Sequence, residues 1–227
     1  MRSPPTLTVP ARGRGSIQVK ICGLNDPGAV AAAVAGGADF VGVVFFAKSP
    51  RAVTPERAAE LLAEVPRRIK RVGLFVEPDD RLLDQVLTRL RLDLLQFHGK
   101  EAPARVEAVR RAWGLPVMKA IGVSTAADLD TAKLYLDVAD RLMFDAKPPP
   151  GADRPGGNAR AFDWTLLAER KWPLPWILAG GLNARNVKGA IKRSGARAVD
   201  VSSGVETSPG VKDPKKILRF IKAAKAA

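Results

Sequence analysis

In residues 175–206, PWILAGGLNARNVKGAIKRSGARAVDVSSGVE, an apolar run Pro175–Leu178 stops at Gly180-Gly181, and a helical pattern fills about 184–193. A second β-branched run, Ala198–Val201, stops at Ser202-Ser203-Gly204. The short runs have strand length, and the segment between them has helix length. Strand, helix, strand with brief turns is the unit from which parallel sheets are built, because parallel neighbours need a crossover.

Upstream, the same alternation repeats. Strand-like runs are Ile17–Ile21, Phe40–Phe45, Lys70–Val76, Leu92–Phe97, Pro116–Ile121 and Arg141–Phe144. Helical patterns lie near 27–35, 55–65, 79–90, 101–112, 125–138 and 163–170, and a last one covers about 213–224. Thr54-Pro55, Pro78-Asp79 and Asn183 are helix entries at a cap or first turn. Eight strand–helix units in one chain predict a single (β/α)8 TIM barrel, a one-domain α/β fold over 17–227 behind a flexible basic tail, 1–16. The runner-up, an open doubly wound sheet, calls for a G-x-G-x-x-G after its first strand, and none follows here.

Composition sets the outer limits. Of 227 residues 46% are hydrophobic, with 37 Lys+Arg against 23 Asp+Glu for a net charge of +14. That is a globular composition, not a disordered, collagenous or disulfide-scaffold one. A lone cysteine, Cys22, forms no internal disulfide and fits a cytoplasmic protein. The longest apolar stretch, 29–47, is broken by Asp39 and by Gly36, Gly37 and Gly42, so no membrane span is expected. The first sixteen residues lack the apolar run of a secretory signal. Residues 185–227 carry eleven Lys/Arg against three acids, but no aromatic platform, zinc-finger spacing or RNA-binding signature accompanies them. A solvated basic surface that attracts phosphorylated small molecules is the expectation, with nucleic-acid binding as the rival.

Barrel chemistry sits at the C-terminal strand ends. Those ends carry Cys22, Lys48-Ser49-Pro50-Arg51, Gln96 to Gly99, Asp145-Ala146-Lys147, Gly180-Gly181 and Ser202-Ser203-Gly204. The turns after strands seven and eight are the fold's usual phosphate cradle, which makes Gly181, Ser203 and Gly204 candidate phosphate ligands. Period-2 alternation puts Lys20 with Cys22 and Asp200 with Ser202 on common faces, so Lys20 and Asp200 form a candidate interior ion pair. Read alone, Cys22 is also a small buried hydrophobe, Asp145 also a partner for Lys147, Arg51 also a surface charge, and His98 a structural histidine. The segment 147–160, with Pro148-Pro149-Pro150 and Gly156-Gly157, has the length of a lid or binding loop.

These strand ends resemble the phosphoribosylanthranilate isomerase family. The likeness runs through Val19-Lys20-Ile21-Cys22-Gly23-Leu24, Lys48-Ser49-Pro50-Arg51, Gln96-Phe97-His98-Gly99, Phe144-Asp145-Ala146-Lys147, Ala179-Gly180-Gly181-Leu182-Asn183 and Val199 to Glu206, across about 18–222. Asn25 stands where a threonine is usual and Phe97 where a leucine is, and the tail has no counterpart. The resemblance implies an Amadori rearrangement of N-(5-phosphoribosyl)anthranilate to 1-(2-carboxyphenylamino)-1-deoxyribulose 5-phosphate, in tryptophan biosynthesis, with no metal or organic cofactor. It implies Asp145 as general acid, Cys22 as general base and Arg51 as ligand of the anthranilate carboxylate, with Asp200 a further candidate contact. It implies a monomer or homodimer. A sister isomerase of histidine synthesis uses a carboxylate base, and Cys22 in that place argues against it.

Overall fold

The protein is described from a computed structural model covering residues 16–148, 151, 156–157 and 161–227. Apart from Ser16, the expected tail lies outside the described residues, as does most of the long segment 147–160.

Each expected β-branched run is a strand. They are β1 (Gln18–Ile21), β2 (Phe40–Phe45), β3 (Lys70–Phe75), β4 (Leu94–Phe97), β5 (Val117–Val123), β6 (Arg141–Ala146), β7 (Trp176–Leu178) and β8 (Ala198–Val201). All pair in parallel with their chain neighbours, and β8 returns to β1 with Lys20 opposite Asp200, closing the barrel. A closed ladder leaves no edge, which excludes the open sheet.

Alternation along the strands sorts their side chains. Val19, Val41, Phe75, Phe97, Phe144 and Val199 face outward into the large core beneath the helices. Phe40, Val72, Leu94, Met118, Met143 and Ile177 fill the interior. Above them Cys22, Val44 and Leu74 form a small third cluster. The barrel is therefore packed below, and any site must lie at its mouth.

Local chemistry starts the helices. Asp26 accepts from Ala29 N–H ahead of α1 (Pro27–Gly36), Thr54 from Arg57 N–H ahead of α2 (Pro55–Leu62), and Asp79 from Leu82 N–H ahead of α3 (Asp80–Leu87). Then come α4 (Pro103–Trp113), α5 (Thr165–Ala168), α6 (Val187–Ser194) and α7 (Pro214–Lys225), the last capped by Asp213. Three expectations need correction. The pattern at 125–138 is a 3₁₀ helix, Ala126–Tyr135, because the Asp128 carboxylate folds back onto the Ser124 and Thr125 N–H groups and tightens the first turn. α6 begins at Val187, not 184, because Asn183 Oδ1 accepts from Arg185 and Asn186 N–H and makes a separate turn. The pattern at 163–170 shrinks to the four residues of α5.

One element was not anticipated. Between β8 and α7 the chain makes an antiparallel hairpin, β9 (Glu206–Ser208) and β10 (Val211–Lys212), with Lys212 opposite Glu206. Among the described residues no helix is long and apolar enough to cross a membrane.

Candidate active site

β1 delivers Lys20 and Cys22 to the same inward face, two residues apart. Lys20 is fully buried and its Nζ donates to Asp200 Oδ1 at 2.8 Å, the interior pair that period-2 spacing predicted. Gly42 on β2 makes room for both. A Cβ there would stand 3.2 Å from Lys20 Nζ and 3.4 Å from Cys22 Sγ. Burial drags the Lys20 ammonium down, but Asp200 and Cys22 outweigh it and leave it above its ordinary value. Burial pushes the Cys22 thiol up, and Lys20 opposes that rise without cancelling it. A thiol so placed is a poor acid and, once ionised beside an ammonium, a strong base.

Asp145 on β6 does not pair with Lys147, which follows the end of the strand and whose ammonium is taken by another carboxylate. Lys147 Nζ reaches Asp128 Oδ1 at 2.7 Å on the outside. The inward Asp145 Oδ2 instead meets His98 Nε2 at 3.1 Å, and His98 Nδ1 meets Gln96 Nε2 at 3.0 Å. Gln96 is fully buried and its Oε1 has no partner among the described residues. Gly156 lies over this chain, with room for no side chain: a Cβ would come within 2.9 Å of both Asp145 Oδ2 and His98 Nε2. His98 thus belongs to the site and not to the supporting structure. Its loop is held by Glu101, which accepts from Gly99 and Glu77 N–H and pairs with the buried Lys119 at 3.0 Å.

Arg51, expected as a ligand for an external carboxylate, is buried and already grips one. Its Nε donates to Glu206 Oε1 at 2.7 Å and its Nη2 to Glu206 Oε2 at 2.8 Å. Lys212 Nζ donates to the same Glu206 Oε1 at 2.7 Å, and to Ser202 O and Oγ at 3.0 and 3.1 Å. Burial alone would raise the Glu206 carboxyl, but Arg51 and Lys212 hold it below its ordinary value.

These groups surround one cleft of about 480 Å³, open to solvent and lined by Cys22, Arg51, Gln96, His98, Asp145 and Asp200. Beside it is a more polar recess of about 400 Å³, lined by Gly180, Gly181, Leu182, Ser202 and Ser203. Asp145, Gly157, Asp200 and Ser202 border both, so the two are compartments of one site. Gly180 and Gly181, at φ 87° and 65°, turn the backbone where other residues would be strained. Gly204 does not line the recess. A Cβ on it would collide with the Leu182 carbonyl, so its role is to let the β7 and β8 loops touch. Among the described residues no group of three or more His, Cys, Asp or Glu side chains is arranged to hold a metal ion.

Cys22, Asp145, Arg51 and Asp200 are thus brought together, with Gly181 and Ser203 in the adjoining recess. Sequence reasoning missed Glu206 as the partner of Arg51 and Lys212 as the second cation on Glu206, and read His98 as structural. The parity of Gln96 with His98 was visible, but its meaning required knowing that β6 lies two strands away.

Similarity to known proteins agrees with this geometry. The family described as N-(5'-phosphoribosyl)anthranilate (PRA) isomerase matches residues 19–223. An N-(5'-phosphoribosyl)anthranilate isomerase of Paramagnetospirillum magneticum is 63% identical over 209 residues, covering 92% of this chain and 97% of that protein. A solved phosphoribosyl anthranilate isomerase in complex with reduced 1-(o-carboxyphenylamino)-1-deoxyribulose 5-phosphate superposes with a TM-score of 0.78 at 36% identity, covering 93% of this chain and all of that one. Monomers derived from the dimeric enzyme of Thermotoga maritima give 0.77 at 36% identity, with the same coverage.

Proposed function

Because the chain belongs to the N-(5'-phosphoribosyl)anthranilate isomerase family, and so isomerises that substrate in tryptophan biosynthesis, we propose that Cys22 and Asp145 are the base and acid of the reaction. The observation that carries this reading is their convergence, from β1 and β6, on one cleft that adjoins a glycine-lined recess.

The reaction asks for two proton transfers. The ribose ring oxygen must gain a proton for the ring to open to an imine, and C2 must lose one to give the enolamine that becomes the ketone. Asp145 Oδ2 gives the first proton. His98 Nε2, at hydrogen-bond distance, orients that carboxyl, and Gln96 Nε2, donating to His98 Nδ1, holds the imidazole in place. The Cys22 thiolate takes the second, with Lys20 stabilising the charge. Backbone donors at Gly181 and Ser203 hold the phosphate, Gly204 keeps their loops in contact, and Asp200 borders the sugar. Arg51 binds the anthranilate carboxylate through the guanidinium edge that Glu206 leaves open. All of these roles fall to the protein's own groups, so no cofactor enters the scheme.

We place the enzyme in the cytoplasm as a monomer or homodimer, as a single barrel domain over 17–227 behind a basic tail, 1–16. The net charge of +14 serves phosphorylated small molecules and not nucleic acid. The experiment is an anthranilate-fluorescence assay on substrate formed in situ. Asp145→Asn keeps the shape but offers no acidic proton, and turnover should fall by roughly 10²-fold or more with an unchanged melting temperature. A variant that melts early yet keeps most of its turnover removes Asp145 as the acid.

A further inference from the structure

We propose that the β9–β10 hairpin is a positioning device for aglycone recognition, in which Glu206 orients Arg51 toward the substrate carboxylate and Lys212 restores the positive charge that Glu206 would otherwise cancel. The proposal rests on the reading of Arg51 as the carboxylate ligand.

An arginine side chain is long and rotamer-rich, so an unsupported guanidinium presents no single edge to a ligand. Here both Nε and Nη2 are committed to the two oxygens of Glu206, at 2.7 and 2.8 Å. Nη2 also lies 3.4 Å from Gly157 O, and Nη1 has no hydrogen bond among the described residues. The guanidinium plane is therefore fixed, and its remaining donor is Nη1.

Glu206 alone would make a neutral pair with Arg51, a weak lure for an anion. Lys212, with no exposed side-chain surface, contacts Glu206 Oε1 at 2.7 Å, so the trio carries one net positive charge in buried surroundings. A substrate carboxylate would neutralise it. Buried ionic groups seldom add stability that apolar residues could not supply, so a trio kept here needs another reason, and orientation is that reason.

The hairpin is built to hold this geometry. Its register sets Lys212 opposite Glu206. Its turn, at Gly210 with φ 86°, sits on the Pro50 carbonyl so closely that a Cβ would clash, directly beside Arg51. Asn25 Nδ2 donates to Gly210 O at 2.9 Å, and Lys216 Nζ donates to Glu206 O at 2.6 Å. The loops of β1 and β2 and the first turn of α7 thus clamp one short ribbon whose inward face is Glu206.

Selectivity tests this directly. Ribose 5-phosphate condensed in situ with anthranilate or with aniline gives substrates with and without the carboxylate. The ratio of their kcat/KM values is measured for wild type, Arg51→Met, Glu206→Gln and Lys212→Met. For a variant without turnover, competition by the two reduced amino-sugar phosphates gives the same ratio as binding constants. Arg51→Met should collapse the ratio. Glu206→Gln and Lys212→Met should each lower it by about 10-fold, mainly through KM of the carboxylate substrate, the scale of a misplaced but present group. A pure charge effect predicts the opposite for Glu206→Gln, since removing a negative charge would raise the ratio. If Arg51→Met collapses the ratio while Glu206→Gln leaves it unchanged or raises it, positioning by the hairpin is refuted and the Arg51 reading stands. If Arg51→Met itself leaves the ratio intact, the Arg51 reading fails and positioning fails with it. Should Glu206→Gln not fold, Lys212→Met decides: an unchanged ratio there also overturns the proposal.

Discussion

Replacing Lys20 by Met removes the fully buried member of an ion pair whose other member borders the cleft. Lys20 is fully buried, its Nζ is 2.8 Å from Asp200 Oδ1, and the Asp200 side chain is 9% exposed. Methionine approximates the volume of the lysine stem, so packing changes little and the loss is mostly the unpaired Asp200 carboxylate. Breaking a buried pair from one side costs about 3–5 kcal/mol. For a chain of this size each kcal/mol moves the melting temperature by about 2–4 °C, so Lys20→Met should melt roughly 6–20 °C below wild type. Adding Asp200→Asn removes the orphaned charge, and the double variant should recover much of the loss, with a coupling of about 2 kcal/mol or more. Thermal and urea melts at neutral pH on all four proteins complete the cycle. Single losses that simply sum to that of the double variant would refute the pair.

The pH dependence of this effect has a definite sign. Burial lowers the Lys20 ammonium, but Asp200 and Cys22 raise it further, to a net value above its ordinary 10.5. A raised cationic group contributes stability that is complete below the unfolded value and lost as pH climbs through the folded one. The gap between wild type and Lys20→Met should therefore stay constant from weakly acidic to weakly alkaline pH. The same substitution removes the charge opposing the burial-driven rise of the Cys22 thiol, so the thiol should rise further. The pH dependence of Cys22 alkylation, and the alkaline-favoured limb of the rate profile, should both move upward.

Cys22→Ser should fold and melt like wild type yet lose 10²-fold or more in turnover, the scale of a general base, and near-normal activity at neutral pH would remove Cys22 from the mechanism. Inorganic phosphate should compete with substrate, and Gly204→Ala, which drives a methyl against the Leu182 carbonyl, should weaken that competition and cost about 1–3 kcal/mol of stability; unaltered phosphate inhibition in a stable variant would contradict the recess. Asp128 is held at about 2 against an ordinary 3.8, since its hydrogen bonds from Lys147, Thr125 and Ser124 outweigh the burial that would raise it. A lowered carboxyl stabilises above its unfolded pKa and ceases to as pH falls through the folded one. The melting advantage of wild type over Asp128→Asn should accordingly be full above pH 4 and fade toward pH 2, and a pH-independent difference would count against the pairing.

Much of the molecule was determined by sequence alone. β-branched runs of strand length, separated by helix-length patterns with Thr54 and Asp79 at their starts, specify eight parallel units, because these signals act over a few residues of chain. Glycines at 180, 181 and 204 mark the turns of the mouth, and two-residue parity is enough to set Lys20 beside Cys22 and, once β8 meets β1, against Asp200. The hairpin escaped notice because its strands, three and two residues long, have no period to detect, and two of their residues are a glutamate and a lysine. Tertiary structure decided the partners. His98 finds Asp145 across 47 residues and Arg51 finds Glu206 across 155, and nothing in either neighbourhood names the other. A strand's periodicity states which face a side chain takes, but not which side chain meets it across the barrel. That second fact depends on register, closure and loop packing, which exist only when all eight strands are in place.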